Sequence, residues 1–345
     1  MKKLFIPFLL LAMLLPAGAQ AQKRQMMFGV AFYNLENLFD TINNNGKYDL
    51  EFSPQGAHGW DGRKYWSKIK NMSYAISQLK TDKTPEGPAV IGVSEIENIT
   101  VLQDLVAAEA VKDWNLQIMH HDSPDRRGVD VGLLYNPKFF KPIRMTNHRL
   151  VIPDMPHFLT RDQMCVVGLL GGCRTAVIVN HWPSRRGGEK ESSPLREAAA
   201  ALTRQICDSL YQVDPNMGII VMGDLNDDPS NKSVSEVLGA VKKEKDCKEG
   251  GFYNPFWKKL DDGIGSYIYR GGWDLFDQII VNYNLVKGNN GLTYKNAKVW
   301  NDLPFLLQQT GQYKGYPLRT FGSGAWTNGY SDHLPTEIFL VKDIN

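Results

Sequence analysis

Cysteine is scarce, with four in 345 residues, and no two of them stand in a C-x-x-C pair. That spacing argues against the common tetrahedral zinc modules. Cys165 and Cys173 flank a short apolar segment containing Gly171-Gly172. A bridge across a hairpin and buried free thiols both remain open for them. Long apolar runs are also missing beyond the N-terminus, so no later stretch reads as a membrane span. Neither an internal repeat nor a low-complexity linker is visible.

An excess of charge is absent as well. The N-terminus carries Lys2 and Lys3, an apolar run from Leu4 to Leu15, and then Pro16-Ala17-Gly18-Ala19-Gln20-Ala21. A short basic region, a run too short to span comfortably and an Ala-x-Ala site define an expected export signal over residues 1–21. Cleavage after Ala21 would send residues 22–345 to the periplasm or the medium as a single catalytic domain. Removing Lys2 and Lys3 leaves 37 basic residues against 37 acidic ones. Proteins that grip duplex DNA by counterion release are usually more basic. Tight non-specific duplex binding is therefore disfavoured, whereas a local basic patch still suffices for cleavage.

What the chain does have is a mixture of short β-type runs and helical segments. Strands are expected over 28–33, 89–93, 129–135, 164–170, 175–180, 218–222 and 276–282. The run Ala89–Val93 is apolar throughout, as in a strand buried on both faces. Trp66, Ile69, Met72, Ile76 and Leu79 recur at helical steps. Leu195–Tyr211 reads as a second helix with Pro194 at its start, and a shorter one is expected after Ile99-Thr100. The segment Asp40–Glu51 has a faint calcium-loop pattern, but its Gly is one place late for an EF-hand, and a polar loop is the better reading. Mixed elements throughout predict one α/β domain with helices outside packed sheets.

Polar residues sit just past the ends of the apolar runs. Asn34 follows the first, Glu95 the second and His181 the strand ending at Asn180. Asp224 and Asn226 stand in Gly-Asp-Leu-Asn. Asp277 stands in Phe-Asp-Gln-Ile, and Asp332-His333 in Ser-Asp-His. Strand ends are rigid mounts that can converge on one point. Carboxylate and amide oxygens are hard ligands suited to Mg²⁺, with Mn²⁺ or Ca²⁺ as alternatives. An Asp-His pair suits proton transfer. Arg126, Arg127, Arg185 and Arg186 are candidate phosphate anchors, Arg127 and Arg185 foremost.

These segments, in this order, resemble the endonuclease/exonuclease/phosphatase family, whose members include deoxyribonuclease I, exonuclease III, neutral sphingomyelinases and inositol polyphosphate 5-phosphatases. The matching motifs are Phe-Tyr-Asn-Leu-Glu-Asn (32–37), Val-Ser-Glu-Ile-Glu-Asn (93–98), Asp-Arg-Arg-Gly-Val-Asp-Val-Gly-Leu-Leu-Tyr (125–135) and Val-Asn-His-Trp-Pro-Ser-Arg (179–185). Gly-Asp-Leu-Asn (223–226), Phe-Asp-Gln-Ile (276–279) and Tyr-Ser-Asp-His-Leu-Pro (330–335) complete the series. The resemblance implies a four-layer α/β/β/α sandwich, deoxyribonuclease I-like, and hydrolysis of phosphoester bonds. It implies metal binding by Asn34 and Glu95, with Glu95 fitting better than Glu97, and has Asp332 either bind metal or hold His333. It makes Asp224 the residue that orients or activates the attacking water, Asn226 a phosphate ligand, and Asp277 a support on the leaving-group side, as ligand or as hydrogen-bond partner of a catalytic His. His333 would contact phosphate or act as base. His181 matches a second histidine of the deoxyribonuclease I and sphingomyelinase branches that exonuclease III-like members lack. A nuclease is the leading expectation, with Trp182 beside Arg185 stacking on a base or sugar. A phospholipid or inositol-phosphate phosphoesterase is the alternative, and a non-catalytic binding protein on the same scaffold the third. A monomer is expected.

Overall fold

In the computed structural model, residues 24–43 and 49–344 are described; the expected export signal at 1–21 and part of the Asp40–Glu51 loop lie outside them. The first half contains β1 (Arg24–Leu38), α1 (Gly62–Ser77), β2 (Val90–Ile96), α2 (Ile99–Ala107), β3 (Gln117–His120), β4 (Asp130–Tyr135), β5 (Phe140–His148), β6 (Gln163–Leu170) and β7 (Cys173–His181). The second half contains α3 (Glu189–Val213), β8 (Gly218–Asp224), β9 (Ala240–Val241), β10 (Phe252–Tyr253), α4 (Phe256–Asp261), β11 (Tyr267–Tyr269) and β12 (Gly272–Asp274). It ends with β13 (Asp277–Asn282), α5 (Tyr283–Lys287), β14 (Thr293–Val299), β15 (Phe321–Gly322), β16 (Ala325–Trp326) and β17 (Thr336–Ile344).

The strands form two mixed sheets, ordered β14-β17-β1-β2-β4-β3 and β5-β6-β7-β8-β13-β10-β9. Their inner faces share one core, in which Phe32, Val93 and Leu133 of the first sheet join Val177, Met222 and Ile279 of the second. Ile69, Met72 and Ile76 of α1 and Leu102 and Leu105 of α2 extend that core over the outer face of the first sheet. A separate cluster packs Ala199, Ile206 and Leu210 of α3 onto Ile178, Ile219 and Val221 outside the second sheet. The result is the four-layer sandwich. The sheets approach closely at Gly92, where a Cβ would stand 2.4 Å from the Met222 sulfur. Close approach is the reason for glycine there, since its φ is not positive.

Several elements differ from the sequence reading. β1 runs four residues past Asn34. α3 starts at Glu189, so Pro194 lies inside it. The proline is tolerated because Arg196 donates to the Glu189 carbonyl at 2.8 Å and Ser192 N to Gly188 O at 3.1 Å, anchoring the added turn. Trp66 stands exposed, because Tyr65 takes its place in the buried stripe with Ile69, Met72 and Ile76. All four cysteines are free. Cys165 lies in the outer cluster under α3 and Cys173 in the inter-sheet core, so the two side chains face opposite sides of the sheet.

Glu337 on β17 is wholly buried, and its Oε2 accepts from Trp300 Nε1 at 2.9 Å. Burial pushes its carboxyl from 4.5 up to about 8. The folded protein therefore holds a proton there that the unfolded chain releases. Stability from this site is full at low pH and declines as pH rises from about 4.5 to 8. Glu337→Gln is expected to gain stability relative to the parent across that interval. Denaturant midpoints at acid and mildly alkaline pH check it; a difference that does not change with pH would refute the assignment.

Candidate active site

The site lies where the two ladders lose their regularity. Pairing of β1 with β2 shifts register between Asn34 and Leu38, and pairing of β2 with β4 shifts between Ser94 and Ile96. Glu95 is the residue left over, with φ of 58°, and Glu36 and Asn37 take φ of 47° and 51°. A left-handed non-glycine residue costs about 1–3 kcal/mol and persists only when its surroundings enforce it. Here the bulge turns Glu95 out of the ladder into a cleft. Asn37 N holds its Oε2 at 3.1 Å. On the other sheet, Gly223 sits at φ 153°, where a Cβ would meet the Asn180 carbonyl at 2.2 Å. That glycine lets β8 run against β7 and deliver Asp224 beside His181, its register partner.

Three side-chain pairs with no residue in common cross from one sheet to the other. Asn34 Nδ2, from β1, donates to Asp224 Oδ2 on β8 at 3.0 Å. His333, just before β17, meets Asp277 Oδ2 on β13 through Nδ1 at 2.6 Å. His181 Nε2, from β7, lies 3.8 Å from Glu95 Oε1 and 3.6 Å from Asp224 Oδ2. His333 Nε2 in turn stands 3.8 Å from Asp224 Oδ2 and 3.9 Å from Asp332 Oδ1. The groups surround one end of a cleft of about 710 Å³, which also contains Arg127, Arg185, Arg186, Asn226 and Arg270.

Burial and charge separate the titrating groups. Burial raises the Asp224 carboxyl to about 6, with His333 pulling it down and Asp277 pushing it further up. Burial lowers His181 well below its ordinary value, and Arg161, Arg127 and His333 lower it further. Burial acts the same way on His333, but Asp277 and Asp224 overcome it and hold that imidazole charged well above the usual range. The site thus pairs a neutral histidine with a charged one. Burial likewise raises Glu95, yet Arg127, at 3.4 Å, and His333 hold it below the ordinary carboxyl range.

Every residue singled out from sequence is brought to this end of the sandwich except Arg126, which is bound to the His157 carbonyl. Asn226, at φ 50°, donates through Nδ2 to Trp182 O at 3.0 Å. Asp277 is fully buried and does not line the cleft; it also accepts from Ser266 Oγ at 2.6 Å. Glu97 is buried elsewhere and accepts from Asp40 N at 2.8 Å. Trp182 is 1% exposed and donates to Asn180, so it cannot stack on a substrate. Arg185 lies on the Phe276 ring at 4.5 Å and donates to Asn226 O, Asp228 and Asn231.

Sequence reasoning missed a supporting layer. Arg161 donates to the carbonyls of His181 and Trp182 and to Asp125. Arg319 clamps Asp332 at 2.9 Å and Glu36 at 3.1 Å. Lys68, buried on α1, donates to Thr320 Oγ1 at 2.6 Å and to the Tyr330 carbonyl, with Glu36 at 3.8 Å. No local motif announces these, because the partners are far apart along the chain. Asp224, Asp277 and His333 offer ligand atoms within 4.8 Å of one another. The 2.6 Å bond between Asp277 and His333 already uses two of them, so this trio is a proton-holding dyad with an acceptor beside it. Glu95 and Asp332, among the carboxylates lining the cleft, are hard oxygen donors able to hold a divalent cation.

Two packed mixed sheets flanked by helices, with a polar site at one end of both, define the deoxyribonuclease I-like class of fold. Residues 29–342 match the Endonuclease/Exonuclease/phosphatase family, and the chain belongs to it. Among solved structures it is similar to an endonuclease/exonuclease/phosphatase family protein from Bacteroides thetaiotaomicron, at 16% identity and TM-score 0.55, covering 94% of this chain and 98% of that one. It is also similar to truncated TDP2 from Caenorhabditis elegans, at 14% identity and TM-score 0.53, covering 91% and 97%. A mannosyl-6-phosphatase from Bacteroides thetaiotaomicron matches at 15% identity and TM-score 0.53, covering 91% and 99%. No curated protein matches the sequence. Among the described residues no helix is long and apolar enough to cross a membrane.

Proposed function

We propose that the protein is an exported Mg²⁺-dependent phosphodiesterase acting on nucleic acid. The observation that carries this reading is the cross-sheet constellation: a charged His333–Asp277 dyad and a neutral His181 on either side of Asp224, opening on an arginine-lined cleft. Family membership supports phosphoester hydrolysis; the nucleic-acid substrate rests on the cleft.

Glu95, Asn34 and Asp332 would hold the metal. The fit is supported by hard oxygen donors at a bulge and by Glu95 Oε1 facing the cleft. Asn34 Oδ1 accepts from Glu36 N at 2.9 Å and keeps a second lone pair. When bound, the cation would neutralise charge on the phosphate and acidify water. Asp224, buried and held by Asn34 and by Asn226 N, accepts the proton of the attacking water. His333, charged, donates to a phosphate oxygen or to the leaving group. Asp277 orients it. Neutral His181 and the Asn226 amide donate to the non-bridging oxygens, and Arg127 supplies charge beside them. Arg185 shapes the loop carrying Asn226 through its bond to the Asn226 carbonyl.

The purified protein lacking residues 1–21 is expected to cleave plasmid DNA or RNA with Mg²⁺ and to lose cleavage in EDTA, with recovery on added Mg²⁺ or Mn²⁺. The same panel includes sphingomyelin and inositol phosphates. Activity confined to the lipid or inositol substrates would replace the nucleic-acid reading. Activity on none of them would refute the phosphodiesterase. Export is checked by the N-terminal residue of the periplasmic or secreted protein, expected to be Gln22.

A further inference from the structure

A second hollow adjoins the main cleft beside the dyad, without touching His333 or Asp277. It has a volume of about 250 Å³ and shares Tyr267 and Asp332 with the main cleft, and no other lining residue. The two spaces therefore meet at that pair and diverge from it. Tyr267 lies under His333, its ring 4.8 Å from the imidazole. Beyond it the second hollow is walled by Tyr313, Tyr316, Gln308 and Arg319.

This wall is built ahead of any ligand. The turn from Gln308 to Tyr316 is closed by Gln308 N on Tyr316 O and Gly315 N on Gln308 O, each at 2.8 Å. Leu307 bridges Pro317, and Leu318 N donates to Leu306 O at 2.7 Å. The Tyr313 and Tyr316 rings stand 5.5 Å apart at 54°, with Tyr313 about half exposed. Arg319 Nε and Nη2 are engaged by Glu36 and Asp332, which fixes the plane of the guanidinium. Among the described residues the Gln308 side-chain amide has no hydrogen-bond partner.

A phosphate at the dyad would thus have space in two directions. A monoester has one arm and would leave one hollow unused. A diester has two. Resting on the phosphodiesterase reading above, we infer that the second hollow seats one ester arm of a phosphodiester, and that this arm carries a nucleobase or a similarly flat polar ring. Tyrosine faces and a fixed guanidinium plane stack on such a ring. The Gln308 amide offers a donor and an acceptor to its edge. The volume admits a single ring system rather than a duplex. An acyl chain would leave the Gln308 amide and the Arg319 guanidinium of this wall without polar partners on the ligand.

The test compares dithymidine monophosphate with the two methyl esters of thymidine monophosphate, methylated on the 3′- or the 5′-phosphate, using the protein with Mg²⁺. Base stacking predicts that the dinucleotide is cleaved with kcat/KM roughly ten-fold above that of at least one methyl ester. Tyr313→Leu and Tyr316→Leu are each expected to raise KM for the dinucleotide several-fold more than for that methyl ester. Equal efficiency on the dinucleotide and both methyl esters would overturn the inference, with no variant needed. So would variants that slow all three substrates alike. Cleavage of none of these, nor of any substrate in the wider panel, would overturn the phosphodiesterase reading itself.

Discussion

His333→Ala is expected to lower kcat by about 10²–10⁴-fold while KM changes far less, the signature of a group that acts in the transition state. Nδ1 is committed to Asp277 at 2.6 Å, which leaves Nε2 to face Asp224 and the cleft. Asp277→Asn tests the same pair from behind. Asp277 is buried and does not line the cleft, so it acts on a substrate only through its neighbours, His333 foremost. Burial alone would lower the His333 pKa, and the Asp277 carboxylate is the foremost group holding it up. Where the charged form is required, activity is lost as pH rises through that elevated value. Removing the carboxylate lowers the value, so the alkaline limb of the rate profile should move to lower pH. A His333→Ala variant with kcat within three-fold of the parent, or an Asp277→Asn variant whose alkaline limb stays put, would remove the dyad from the mechanism.

The largest effect on stability should come from Lys68→Met. Lys68 is 2% exposed, and its ammonium donates to Thr320 and to the Tyr330 carbonyl beside Glu36. Burial pushes Lys68 down to about 8 and Glu36 up to about 7, and each pulls the other back toward its charged form. Methionine fills much of the volume but leaves Glu36 short of a partner and two acceptors without a donor. Losing one member of a buried ion pair typically costs about 3–5 kcal/mol. For a chain of this size that is a fall in thermal midpoint on the order of 10 °C. Lys68→Met/Glu36→Gln should recover part of the loss, because the buried carboxylate, left with Arg319 as its one remaining cation, is gone. A midpoint within two degrees of the parent for the single variant would mean that water reaches this pair.

Much of this architecture was legible before the structure. Strands whose apolar runs end in a polar residue were readable because burial on both faces leaves no room for ambiguity of period, as in Val90–Val93. The residues after them were readable because a polar group stands out at the end of such a run. β17 was missed although it is central to its sheet, since its apolar run sits directly behind Ser-Asp-His and the motif drew the reading. β5 was missed because Pro142 demotes a strand, and its place at the edge is what permits the proline. The bulges at Glu36, Asn37 and Glu95 left no mark, because left-handed backbone at non-glycine residues is imposed by tertiary contacts. Lys68 on the amphipathic helix and Arg319 in its loop carried no local signal. Their meaning lies in partners more than 250 residues away.

The three pairs that join one sheet to the other make the site a gauge of registry. Asn34, Glu95 and His333 ride on one sheet, and Asp224, His181 and Asp277 on the other. A slide of either sheet by a fraction of an ångström breaks all three distances at once, yet leaves every ladder hydrogen bond within each sheet intact. Catalysis should therefore fail earlier in a urea titration than the β-sheet signal in circular dichroism, and coincident curves would show that the layers cannot slip without melting. Activity lost ahead of the sheet signal would be lost as a bearing fails, by play between parts that are each still sound.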